Sequence, residues 1–148
     1  SILHRNIIKR TFKDKVYISR RDSPESRSIL NEFRFIQLLE KRGYEVVQLN
    51  QLCLKEKLLL FKRVKKIITP AGSGALFRHF VATDGSLRIL LSSQCVWTDY
   101  ILCLLGGGPR NESMDLFEAE ESLGSGESNF LRNHASWWLP EVFFEQDF

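Results

Sequence analysis

Hydrophobic positions along this chain switch repeatedly between a strand pattern and a helix pattern. "KVYIS" (Lys15–Ser19) sets Val16, Tyr17 and Ile18 in a row between polar flanks, which predicts a buried strand. "RRDSPESRS" follows, dense in charge and turn formers, and predicts a loop. In "ILNEFRFIQLLEKRG" (Ile29–Gly43), Phe35, Leu38, Leu39 and Arg42 fall at helical spacing, with Gly43 as the stop. "YEVVQLN" (Tyr44–Asn50) reads as a second strand. "LKEKLLLFKRV" (Leu54–Val64) gathers Leu54, Leu58 and Phe61 on one helical face and leaves lysines elsewhere. "KKIITP" is a third strand, "SGALFRHFVA" a third helix and "GSLRILLSS" (Gly85–Ser93) a fourth strand. "WTDYILCLLGGG" is a fourth helix, stopped by Gly106–Gly108.

Strand and helix thus alternate with short connections, which predicts an α/β fold: a Rossmann-like, three-layer α/β/α domain with a mainly parallel sheet over residues 15–108. The basic, mixed stretch 1–14 is expected to be a leader or linker. Residues 109–136 are polar, acidic and Gly/Ser-containing and are expected to form a flexible loop. The aromatic tail Trp137–Phe148 is expected to pack back on the domain; a contact surface for a partner is the rival reading.

Composition narrows the function classes. A length of 148 residues fits one domain, and 43% hydrophobic with 26% charged residues is ordinary for a globular chain. The net charge of +3 permits an anionic small ligand, but the basic residues are scattered and make no case for nucleic acid. No apolar run approaches the roughly 20 residues of a membrane span, and no signal peptide is visible. The first residue is Ser1, so the chain is expected to be cut from something longer. Cys53, Cys95 and Cys103 sit in apolar stretches and are expected to be buried free thiols. With no CxxC and no Cys/His cluster, no metal and no cofactor are expected. His4, His79 and His134 are uninformative, and Asp22, Asp84 and Asp99 form no clear acid/base pair.

Sheets of this class bind ligands outside the carboxyl ends of their strands, beside a switch in strand order. Two loops leave such ends. "PAGSGA" offers Gly72, Ser73 and Gly74, whose backbone N–H groups can approach an anion at a helix start. It matches neither GxGxxG nor a Walker A sequence, so a plain tight corner competes with a phosphate turn. "SRRDSPESR" offers Arg20, Arg21 and Arg27, whose forked guanidiniums match phosphate oxygens; a solvated charged loop is the alternative. Asn31 and Glu32 open the next helix, where Glu32 complements the helix dipole or accepts hydrogen bonds from a sugar.

Taken together, "YISRR" with a later "SR" and "NE", the Gly-Tyr-Glu-Val-Val strand, "LLLF", "IITP" with its Gly-rich turn and "DGSLRIL" resemble the C-terminal part of family 61 glycosyltransferases, over about Lys15–Ser93. The resemblance implies one half of a GT-B-like architecture, with a nucleotide-sugar donor, a saccharide or glycoprotein acceptor and no metal. It implies a role in polysaccharide or glycan biosynthesis, with an N-terminal domain or partner chain completing the enzyme. It places a bacterial member in the cytoplasm, with membrane association, and a eukaryotic one in the secretory-pathway lumen. Arg20 would face the diphosphate, Asn31 and Glu32 would border the site, and Gly72, Ser73 and Gly74 would offer amides to the same phosphates. The chain departs from the family at Ala71, Phe77, Leu90 and Lys57, where His, Asn, Glu and Gln are usual. Those departures raise a second reading, a non-catalytic binding or scaffold module; a dinucleotide-binding Rossmann domain is less favoured without GxGxxG after the first strand.

Overall fold

Five strands, β1 (Lys15–Ser19), β2 (Glu45–Gln48), β3 (Lys66–Pro70), β4 (Ser86–Ser92) and β5 (Asn111–Phe117), form one sheet in the order β2-β1-β3-β4-β5, every pair parallel. The computed structural model describes residues 10–21, 29–92, 111–117 and 137–148. The fourth predicted helix, Cys95, Cys103 and Arg27 lie outside these residues, as do the leader's first nine positions. Three further elements matter: helices α1 (Glu32–Lys41) and α2 (Leu54–Arg63), and a short α3 (Glu141–Phe144) in the tail.

Alternation along the strands sorts the core into two layers. Val16, Ile18, Ile67, Leu87, Ile89 and Leu91 face α2, where they meet Leu60 and Phe61. Tyr17, Ile68 and Leu90 face the other way, toward Phe35, Ile36 and Leu39 of α1 and toward Trp137, Leu139 and Phe143 of the tail. The helices change face because the chain changes direction in the sheet: β2 lies on one side of β1, and β3 and β4 on the other. Right-handed crossovers then require opposite faces for α1 and α2. Each large apolar side chain buried this way stabilises the fold by about 1.5–3 kcal/mol.

The tail is a structural part of the domain. Trp137, Leu139 and Phe143 are buried, and Phe35 of α1 lies within 5.3–5.9 Å, ring to ring, of Tyr17, Phe143, Phe144 and Phe148. Residues 137–139 run beside 29–31: Ile29 bridges Trp137 in parallel, and the Leu30 amide donates to the Trp137 carbonyl at 2.8 Å.

Three expectations need correction. Part of the expected loop 109–136 is the strand β5, paired along its whole length with β4, so the sheet extends beyond residue 108. The acidic residues that gave "NESMDLF" a loop signature are neutralised from a distance. Buried Arg78 meets Glu112 at 3.0 Å, and Arg88 makes a two-pronged pair with Asp115. The third helix is a 3₁₀ segment, Ser73–Phe80. With three residues per turn, Phe77 and Phe80 stand on the same side, their rings 6.2 Å apart, and Phe77 stacks on Phe61 at 5.2 Å. Cys53 is exposed rather than buried, because it caps the start of α2, where its amide donates to Glu56 Oε2 at 2.9 Å.

Candidate functional site

The order β2-β1-β3-β4-β5 reverses direction between β1 and β3, so the switch point lies there. The two strands also part at that end. Their mutual register runs only to Tyr17 opposite Ile68, while β1 stays paired with β2 to Ser19 and β3 with β4 to Pro70. Pro70 contributes to the parting. The Ala71 amide donates to the Leu90 carbonyl on the β4 side at 2.8 Å, so alternation turns position 70 toward β1. Proline has no N–H to donate there. The result is a crevice bounded by the loops that begin at Arg20 and at Ala71.

Arg20 crosses this crevice. Its Nη1 donates to the Ala71 carbonyl at 2.7 Å. Gly72 makes the crossing feasible: a Cβ built on it would sit 2.2 Å from Arg20 Nη1 and 3.2 Å from Cζ. The Gly72 backbone, at φ +143° and ψ −149°, occupies a region that only glycine adopts readily. Gly72 is therefore glycine both for its conformation and for the guanidinium laid against it. Ser73 and Gly74 begin the 3₁₀ segment immediately after it.

The backbone of Arg20 is fixed from below. Glu32, in the first turn of α1 and only 7% exposed, accepts from the Arg20 amide at 3.3 Å and from the buried Tyr17 hydroxyl at 2.8 Å, both on Oε1. Burial, reinforced by the Glu32 charge and hydrogen bond, holds the Tyr17 phenol well above its usual range. Ser19 Oγ accepts the Arg21 amide at 3.2 Å, which turns the chain at the strand end. The Arg21 side chain leans over the Phe33 ring, 5.6 Å from its centroid.

The sequence-predicted residues therefore divide. Arg20, Glu32 and Gly72 are brought together, with Arg21 on the rim. Asn31 faces the tail instead: its Nδ2 donates to the Leu139 carbonyl at 2.7 Å and its Oδ1 accepts the Leu139 amide at 2.8 Å. Arg27 lies outside the described residues. Tyr17 and the Ala71 carbonyl build the site as well, and neither was among the residues the sequence pointed to. Pro70, ending an apolar strand just before a glycine turn, did carry a local signal. Among the departures, Ala71 and Leu90 are buried in the core, and Phe77 packs on Phe61. His79 is exposed. Among the described residues no group of three or more His, Cys, Asp or Glu is arranged to hold a metal ion, and no helix is long and apolar enough to cross a membrane.

This arrangement presents a fixed positive charge and a glycine turn at the carboxyl end of a parallel sheet, a constellation that suits an anionic phosphate group. The family model for glycosyltransferase 61 matches residues 2–86, more than half of the chain. That stretch includes both loops of the crevice and ends at the first residue of β4. None of the curated proteins matches the chain.

Proposed function

The chain belongs to the glycosyltransferase 61 family, and on that premise we propose that its β1/β3 crevice holds the diphosphate of a nucleotide-sugar donor. The observation that carries the proposal is the Arg20 guanidinium lying against Gly72 at the switch point. In glycosyl transfer the bond from the anomeric carbon to the diphosphate oxygen breaks, and a bond to an acceptor hydroxyl forms. The departing nucleoside diphosphate gains negative charge. Arg20, the backbone amides of Gly72, Ser73 and Gly74, and the positive end of α1 oppose that charge in fixed positions, which lowers the barrier without a metal. Glu32 is a positioning residue here, because its carboxylate is engaged by Tyr17 and by the Arg20 amide. The saccharide or glycoprotein acceptor and its base belong to an N-terminal domain or partner chain, as in a GT-B-like architecture serving polysaccharide or glycan synthesis.

A second reading, binding without turnover, is favoured by the apolar burial of Ala71 and Leu90 and by the packing of Phe77 on Phe61. Two readouts separate the readings: binding of UDP-, GDP- and CMP-sugars, and nucleotide release from whichever donor binds. Binding with release that Arg20→Ala abolishes supports the transferase. Binding without release supports the second reading. A folded chain that binds none of the donors refutes both.

A further inference from the structure

We infer that Phe33 is the stacking platform for the nucleobase of the donor, an assignment that rests on the diphosphate reading above. Phe33 stands in the first turn of α1, one residue after the Glu32 carboxylate that holds the Arg20 amide. Its ring is 59% exposed, whereas Phe35, Ile36 and Leu39 of the same helix are at most 6% exposed. Phe33 is thus not a core residue, and most of its apolar surface stays in water. The ring is nonetheless oriented, by the Arg21 guanidinium 5.6 Å from its centroid.

Two further large apolar side chains, one just before α1 and one in the tail segment that runs beside it, are also exposed. The Ile29–Trp137 bridge turns those two side chains inward, and their chain neighbours Leu30 and Trp138 are 47% and 41% exposed. The Arg20 guanidinium thus has beside it, one residue along the chain, an Arg21 that meets an exposed aromatic face at the start of α1. A ligand that satisfies both has an anionic group and a planar π-system separated by a short linker, which is the chemistry of a nucleoside diphosphate. Inorganic pyrophosphate has the anion and lacks the plane.

The test exploits that difference. Pyrophosphate, UDP, GDP, CDP and ADP are titrated calorimetrically into the wild-type chain and into its Phe33→Ala, Phe33→Tyr and Arg20→Ala variants. Phe33 is exposed, so its variants fold, and circular dichroism confirms this. The expected result is that Phe33→Ala weakens the best nucleoside diphosphate by roughly tenfold, within the about 5- to 150-fold range of base–aromatic stacking. It leaves pyrophosphate unchanged, and Phe33→Tyr restores wild-type affinity. Arg20→Ala weakens both ligand types. Nucleoside diphosphates that bind no more tightly than pyrophosphate, or equally well to Phe33→Ala, overturn the stacking assignment alone, as does a platform covered by a protein partner instead. A wild-type chain that binds neither pyrophosphate nor any nucleotide overturns the diphosphate reading and this assignment with it.

Discussion

Replacing Gly72 by alanine perturbs the crevice at one atom and reports on two effects. The backbone there, at φ +143° and ψ −149°, is disfavoured for any residue with a Cβ, at a cost of about 1–3 kcal/mol. The new Cβ would meet Arg20 Nη1 at 2.2 Å, so the guanidinium must move away and give up its 2.7 Å bond to the Ala71 carbonyl. A charged hydrogen bond is worth about 1.5–3 kcal/mol when buried, and about 1 kcal/mol in this part-buried setting. Gly72→Ala should then destabilise the chain by about 2–4 kcal/mol. In an Arg20→Ala background nothing obstructs the Cβ, and only the backbone cost remains. A double-mutant cycle by urea denaturation should therefore give a coupling energy of about 1 kcal/mol between positions 20 and 72. Additivity within about 0.3 kcal/mol would refute the contact. A neutral Gly72→Ala would refute the conformational argument as well.

Three other substitutions probe separate parts of the account. Tyr17→Phe removes one of the two donors to buried Glu32 and should cost about 1.5–3 kcal/mol near neutral pH. The folded state holds the Tyr17 proton where the unfolded chain releases it, so its contribution is complete below pH 10.0 and fades as pH rises above that value. Wild-type stability should fall in that alkaline range, and the variant's should fall less; Tyr44, also raised by burial, accounts for a remaining slope. Asn31→Ala deletes two hydrogen bonds to Leu139 and should cost about 1–3 kcal/mol, with faster proteolysis of the tail around Trp137–Phe144. If nucleotide affinity instead falls as far as in Arg20→Ala, Asn31 serves the ligand directly. Leu90→Glu introduces the residue that the family resemblance suggests for this strand, but the position is fully buried. An unpaired carboxylate there should cost about 3 kcal/mol or more, and a variant as stable as wild type would show that a polar site reaches that position.

Most of the scaffold was legible because its signals are local. Val16-Tyr17-Ile18 and Ile67-Ile68 announce buried parallel strands, and Phe35, Leu39 and Phe61 announce the helical faces that cover them, although the face of α2 turns on Leu60 and Phe61 and leaves the expected Leu54 65% exposed. Strand β5 was not legible, because what neutralises it is distant: Glu112 and Asp115 read as loop residues until Arg78 and Arg88 are placed beside them. The candidate site shows the same divide. Arg20 and Gly72 stand out individually, as arginine after a strand and glycine after a proline. That they touch depends on β1 and β3 being neighbours, which no local pattern states. Glu32 suggested either a helix dipole or a sugar ligand; its partner proved to be Tyr17, fifteen residues away and apparently a plain core aromatic. Asn31 lies directly beside Glu32 in sequence, yet its side chain serves a segment 108 residues downstream.

Arg20 is the proposed diphosphate contact of the β1/β3 crevice. Calorimetric titration of UDP, GDP, CDP and CMP into the wild-type chain and into Arg20→Ala tests it most directly. One diphosphate should bind, and its affinity should fall by about 1.5–3 kcal/mol in the variant, the loss of a charge-assisted contact. A diphosphate that binds both proteins equally well would contradict that assignment.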